Sequence, residues 1–282
     1  MTRTPKTKKD NRSLLQRFAA APHIVWSILF IIVPLIFVAY YAFTTKGVFT
    51  FSNITVFFTD YLLIFWKSIK LAMIATVICL LLGYPVAYFI TTCKPNTQKI
   101  LIVLLMVPMW MNFLIRTYTI MTLLQETGVI STLLVKVGLP PISIVGTETA
   151  VVIGMVYDYL PFMILPIYSV MAKMDHRLIE AASDLGCNGF GVLRKVIFPL
   201  SLSGVISGVT MVFVPSISTF YISRMLGAVD TVLIGDVIES YYLSYNYNMT
   251  AALSFVLMMI LIIGLAIVNH YTDDDKGGGI MI

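Results

Sequence analysis

Hydrophobic and polar residues fall into long blocks along this chain. A helix needs about 20 mostly apolar residues to cross a bilayer. Six runs reach that length: 23–43, 66–91, 99–124, 149–172, 199–223 and 249–271. A short polar turn, Thr92–Gln98, separates the second from the third. Between the other runs lie 44–65, 125–148 and 224–248, rich in Gly, Pro and aromatic residues. The tyrosine-rich Tyr241–Tyr247 suits a membrane interface, where amphipathic rings sit at headgroup level. The pattern predicts an all-α, polytopic, six-helix membrane domain over 23–271. It is flanked by a basic N-terminus, 1–22, and a tail expected to be disordered, 272–282. Asp273-Asp274-Asp275-Lys276 resembles part of an expression tag and is set aside from the fold.

Composition agrees with a lipid solvent. The chain is 59% hydrophobic and 12% charged, with mean hydropathy +0.91, against about 45–50% and about 25% in soluble domains. The net charge of +5 would fit a nucleic-acid partner, but its distribution excludes that class. Arg3, Lys6, Lys8, Lys9, Arg12 and Arg17 crowd ahead of the first run. Lys94, Lys99, Lys173, Arg177, Arg194, Lys195 and Lys276 fall on the same side of a six-pass topology. By the positive-inside rule that side, with both termini, is cytoplasmic. The first run is longer than a signal peptide's apolar region and lacks a small-residue cleavage site, so it reads as an uncleaved span. Cys79, Cys93 and Cys187 are too few for a disulfide framework. His23, His176 and His270 are isolated, so no metal site is expected.

Five runs contain proline: Pro34, Pro85, Pro108, Pro161 with Pro166, and Pro215. Each removes a helix hydrogen bond and kinks its helix, which fits a moving pathway better than a static anchor. Gly204 and Gly208 have the spacing that lets two membrane helices approach closely. Asp158 sits inside an apolar run, where a carboxylate faces a cavity or a partner. Two readings stand: Asp158 lines a solute path with Tyr157, Tyr159, Trp110, Asn112 and Tyr118, or it pairs with Arg116 and locks two helices.

The loop 173–198 carries the strongest signal. Asp175 is placed to cap a short helix that Gly186 ends. Leu178, Ile179, Ala182 and Leu185 share a face, a stripe that needs something to cover it. A second short helix follows, and Pro199 suits the first turn of the next span.

Glu180-Ala181-Ala182, then Gly186, then Pro199 resemble the EAA loop of ABC importer permeases. Leu82-Gly83-Tyr84-Pro85, Val107-Pro108-Met109-Trp110, Leu114-Ile115-Arg116-Thr117-Tyr118 and Leu160-Pro161-Phe162-Met163 are similar to the spermidine/putrescine (PotB-type) branch. The resemblance covers about residues 23–271. It implies the type I importer permease fold, and a coupling helix formed by Glu180, Ala181, Ala182, Asp184, Leu185 and Gly186 that docks on a cytoplasmic ATPase dimer. It also implies a second homologous permease, an extracytoplasmic polyamine-binding protein and a place in the bacterial inner membrane. Sister families carry thiamine, sulfate or ferric iron; a channel or membrane enzyme is the more distant alternative. No Gly-x-x-x-x-Gly-Lys-Ser/Thr pattern occurs, so ATP and Mg are expected on the partner ATPase. No cofactor is expected in this chain.

Overall fold

The computed structural model describes residues 22–45, 47–141 and 143–277. The N-terminal basic cluster lies outside the described residues. The helices are α1 (Pro22–Ala42), α2 (Ser52–Thr92), α3 (Pro95–Trp110), α4 (Phe113–Leu124), α5 (Val129–Lys136) and α6 (Glu148–Met171). They continue with α7 (His176–Asp184), α8 (Gly189–Ser218), α9 (Tyr221–Leu226), α10 (Ile234–Leu243) and α11 (Tyr247–Gly277). A two-residue hairpin, β1 (Thr44–Thr45) with β2 (Val48–Phe49), follows α1.

Among the described residues, 6 helical stretches can cross a membrane by length and composition: α1, α2, Phe113–Lys136, α6, α8 and α11. The third crossing differs from the expected continuous 99–124. Met111 and Asn112 are extended, and the Asn112 side chain accepts from the Leu114 N–H at 2.8 Å, starting α4 afresh. An Asn that captures the backbone in this way competes with helix continuation. Packing still makes α3 and α4 one antiparallel partner of α6. The Tyr168 hydroxyl donates to Gln98 Oε1 at 3.0 Å near one end, and Ile144 N–H donates to Leu124 O at 3.5 Å near the other.

Other boundaries also shift. α2 begins at Ser52, before the expected 66, because Asn53, Thr59, Asp60, Lys67 and Lys70 dilute the hydropathy of a helix that tertiary packing completes. α8 begins at Gly189, not 199, so the second loop helix is the first turns of the span itself. π-Turns at Ile28–Ile32 and Leu193–Ile197 end just before Pro34 and Pro199. A ring without an N–H cannot sustain the ordinary i−4 bond, and a wider turn absorbs the mismatch. α11 continues to Gly277, so Asp273–Lys276 extend a helix where a disordered tail was expected.

The centre is α2, α6 and α8 around Leu71, Ala75, Met155, Met163, Ile164 and Ile167. Lipid gives no hydrophobic drive between helices, so close van der Waals packing must hold them. A Cβ on Gly208 would stand 2.8 Å from Met163 Sδ, and one on Gly204 2.9 Å from Pro166 O. The small-residue pair therefore seats α8 on the backbone of α6. α1 lies at the periphery, held to α11 through Ala42, Ala251 and Ala252. The α7 end carries Cys93 and Lys173, and the opposite end carries the hairpin, α9 and α10.

Candidate functional site

Two regions carry polar chemistry or unpartnered surface. At the α7 end, Asp175 accepts from the Arg177 N–H at 3.0 Å and caps α7 as expected. Gly186 has φ +84, a conformation open to glycine at no steric cost. Gly186 N–H bonds Ser183 O at 2.9 Å and Cys187 N–H bonds Ala182 O at 3.1 Å, closing the helix in a Schellman turn. Asn188 then accepts from the Gly191 N–H at 2.8 Å and starts α8.

The apolar stripe of α7 is divided. Ala182 is buried and Ile179 packs on the bundle, whereas Leu178 is half-exposed and Leu185 is 86% exposed. Ile179 and Ala182 lie three residues apart and face inward; Leu178 and Leu185 lie seven apart and face away. Glu180, Ala181, Asp184 and Gly186 are exposed beside them. Phe190 adds a further exposed ring. The result is a short, rigidly capped helix with an uncovered apolar and acidic surface.

Within the bundle, Asp158 is 0% exposed and Arg116 5%. Arg116 Nε donates to Asp158 Oδ1, and Thr117 Oγ1 donates to Asp158 Oδ2 at 2.9 Å. Arg116 Nη1 also reaches Pro108 O at 3.3 Å, across the break between α3 and α4. Both carboxylate oxygens are thus engaged, and the pair ties both half-helices to α6. Tyr159 is buried next to it, while Tyr157, Trp110, Asn112 and Tyr118 are exposed on the bundle's outer surface. Of the six residues expected along a solute path, Asp158 and Tyr159 are thus buried inside the bundle, and the other four lie on its surface.

At the end opposite α7, a cluster escaped sequence reasoning. Arg224 of α9 forms an ion pair with Glu239 of α10. One turn earlier, Asp236 Oδ1 accepts from Ser223 Oγ at 2.9 Å and Oδ2 accepts from the Leu233 N–H at 2.8 Å. Burial raises the Asp236 carboxyl above its ordinary range, opposed by the Leu233 N–H and the Ser223 hydroxyl. Both acids lie in what reads as a loop, and only the i, i+3 spacing of Asp236 and Glu239 hinted at a shared helix face. A second cluster joins Lys67 Nζ to Glu148 at 3.1 Å and to Asp230 O at 2.8 Å, tying α2 to α6 at the same end.

Residues 96–272 match the family of the binding-protein-dependent transport system inner membrane component. The spermidine/putrescine transport system permease protein PotB of Haemophilus influenzae is 39% identical over 261 residues, 88% of this chain and 91% of that protein. PotB of Escherichia coli K12 is 36% identical over 247 residues, 84% and 90% of the two chains. The fold is similar to a chain of a bacterial alginate ABC transporter solved with an alginate-bound periplasmic protein. The TM-score is 0.75 and the identity 16%, with 92% and 94% of the chains covered. A chain of the MetNI methionine ABC transporter is similar with a TM-score of 0.57 and 15% identity, covering 74% of this chain and 93% of that one.

Proposed function

This chain belongs to the family of binding-protein-dependent transport system inner membrane components, and from that premise we propose that it is a membrane-spanning permease subunit of an ATP-driven importer for polyamines. The observation that carries the coupling role is α7: a capped helix with Leu178, Leu185, Glu180 and Asp184 uncovered at one end of the bundle. Such a surface needs a partner to bury it. A cytoplasmic ATPase dimer that binds ATP and Mg is that partner, which places the α7 end and both termini in the cytoplasm of a bacterial cell. Similarity to PotB permeases along most of the chain supports the polyamine solute.

A second, homologous permease subunit completes the pathway, and its natural footing includes the exposed Trp110, Tyr118 and Tyr157. An extracytoplasmic binding protein delivers solute to the opposite end. Transport then proceeds by rocking of the helices around a central path. Asp158 holds the bundle together through Arg116 and does not take the solute. Hydrolysis belongs to the partner, and this chain supplies the lever.

Uptake of labelled spermidine into proteoliposomes holding the complete transporter tests the reading. Uptake should need ATP and should fall when unlabelled spermidine or putrescine is added. Uptake that thiamine, sulfate or ferric iron suppresses, and spermidine does not, would transfer the chain to another solute class.

A further inference from the structure

α11 changes its relation to the bundle along its length. Leu253, Val256 and Leu257 are buried together with Phe65 and Ile217. From Met258 to Val268 no residue of α11 is buried. The helix leaves the core after Leu257, and a crevice of about 290 Å³ opens beside it. Phe65 and Ile69 of α2, Ile206 and Phe213 of α8, and Leu261 and Gly264 of α11 line it. Thr210 is the one lining residue with a polar side chain. A Cβ on Gly264 would meet nothing within 4 Å.

We propose that this crevice is a binding site for one acyl chain of a membrane phospholipid, which stands between α11 and the core in place of side chains. Such a site is independent of the solute carried. Water is a poor occupant, because it needs two to four polar partners and one hydroxyl does not supply them. Apolar cavities stay dry and accept apolar guests. A helix of the second permease is too wide. At about 10–12 Å across with its side chains, it would fill 290 Å³ with less than one turn. A single methylene chain is narrower than a helix and has no polar group to satisfy.

The bilayer supplies such chains at the opening. α2, α8 and α11 all have the length and composition of membrane spans. The exposed Ile262, Ile263 and Ile267 alternate along α11 with Leu261, Gly264 and Leu265 of the crevice wall. The crevice is therefore continuous with the face that lipid covers. Lipid gives no hydrophobic drive between helices, so α11 depends on van der Waals contact. An empty gap forfeits that contact, and a bound chain restores it. The alternative is an ordinary dent in the lipid-facing surface, which bilayer chains cross without staying.

Retention separates the two. The permease–ATPase complex is taken from membranes of phosphatidylethanolamine and phosphatidylglycerol into detergent, and native mass spectrometry counts the phospholipids that stay bound. The wild-type complex should keep one more than Gly264→Phe, whose ring fills the crevice from an open position. Gly264→Ala stiffens the helix as a side chain does but adds one methyl, and should keep the lipid. Equal counts for wild type and Gly264→Phe overturn the site, and so does loss of the lipid from Gly264→Ala. Should Gly264→Phe fail to assemble, crosslinking of the wild type decides. A phosphatidylcholine with a diazirine on its acyl chain, illuminated in nanodiscs of the same lipids, should mark Ile206 and Phe213 as well as the exposed Ile263. Marks on Ile263 without Ile206 or Phe213 would mean that protein closes the crevice in the assembled complex, and the lipid site would fall.

Discussion

An aspartate wholly inside an apolar bundle needs a partner or a proton, and Asp158 has Arg116 and Thr117. Asp158→Asn would leave the guanidinium buried without its counter-charge. It should destabilise the protein by about 3–5 kcal/mol. The double variant Asp158→Leu with Arg116→Met should recover most of that loss, since both charges leave together. Thermal unfolding in nanodiscs checks this; equal melting temperatures for the single and double variants would show that the pair does not hold the bundle. The sequence offered pairing with Arg116 as one of two readings of Asp158, the other being a solute path. It could not choose, because the choice depends on how α4 turns after the break at Met111–Asn112, forty-odd residues away from the acid in the chain.

At the scale of the element, α7 and the α6–α8 contact make separate predictions. Gly186→Val forces a β-branched residue to φ +84, a strain of roughly 1–2 kcal/mol. It should unwind the Schellman turn and abolish spermidine-dependent ATP hydrolysis while membrane insertion stays normal. Fractionation and an ATPase assay on the assembled complex read both effects, and full hydrolysis by the variant would remove α7 from coupling. Gly208→Leu would drive a side chain into Met163, where even a Cβ stands 2.8 Å from the sulfur. Overpacking of about 1–3 kcal/mol should follow, measured as a lower melting temperature. The caps of α7 and the Gly204/Gly208 contact were legible in local spacing. The early start of α2 was not, because Asn53 is satisfied by Ala42 O and Thr44 O, partners that the end of α1 and the hairpin supply only in the fold. The division of the α7 stripe was not legible either, since the periodicity names a face without saying which half of it meets the bundle.

For the whole molecule, the proposed orientation sets α7 and the 227–233 loop on opposite sides of the membrane. An impermeant thiol reagent added to intact cells should label Val229→Cys, whose position is almost fully exposed, and should reach Cys187 only after permeabilisation. The reverse pattern would invert the topology and detach α7 from any cytoplasmic motor.

The sequence alone determined that the chain crosses a membrane repeatedly, where α7 starts and stops, and which two glycines allow close packing. These are properties of run length, caps and side-chain size, all local. Tertiary structure decided that the third crossing breaks, that Asp158 is consumed by Arg116, and that Arg224 of α9 pairs with Glu239 of α10. Each depends on groups brought together from separate helices, and side-chain charges become partners only when the backbone path has fixed their distance.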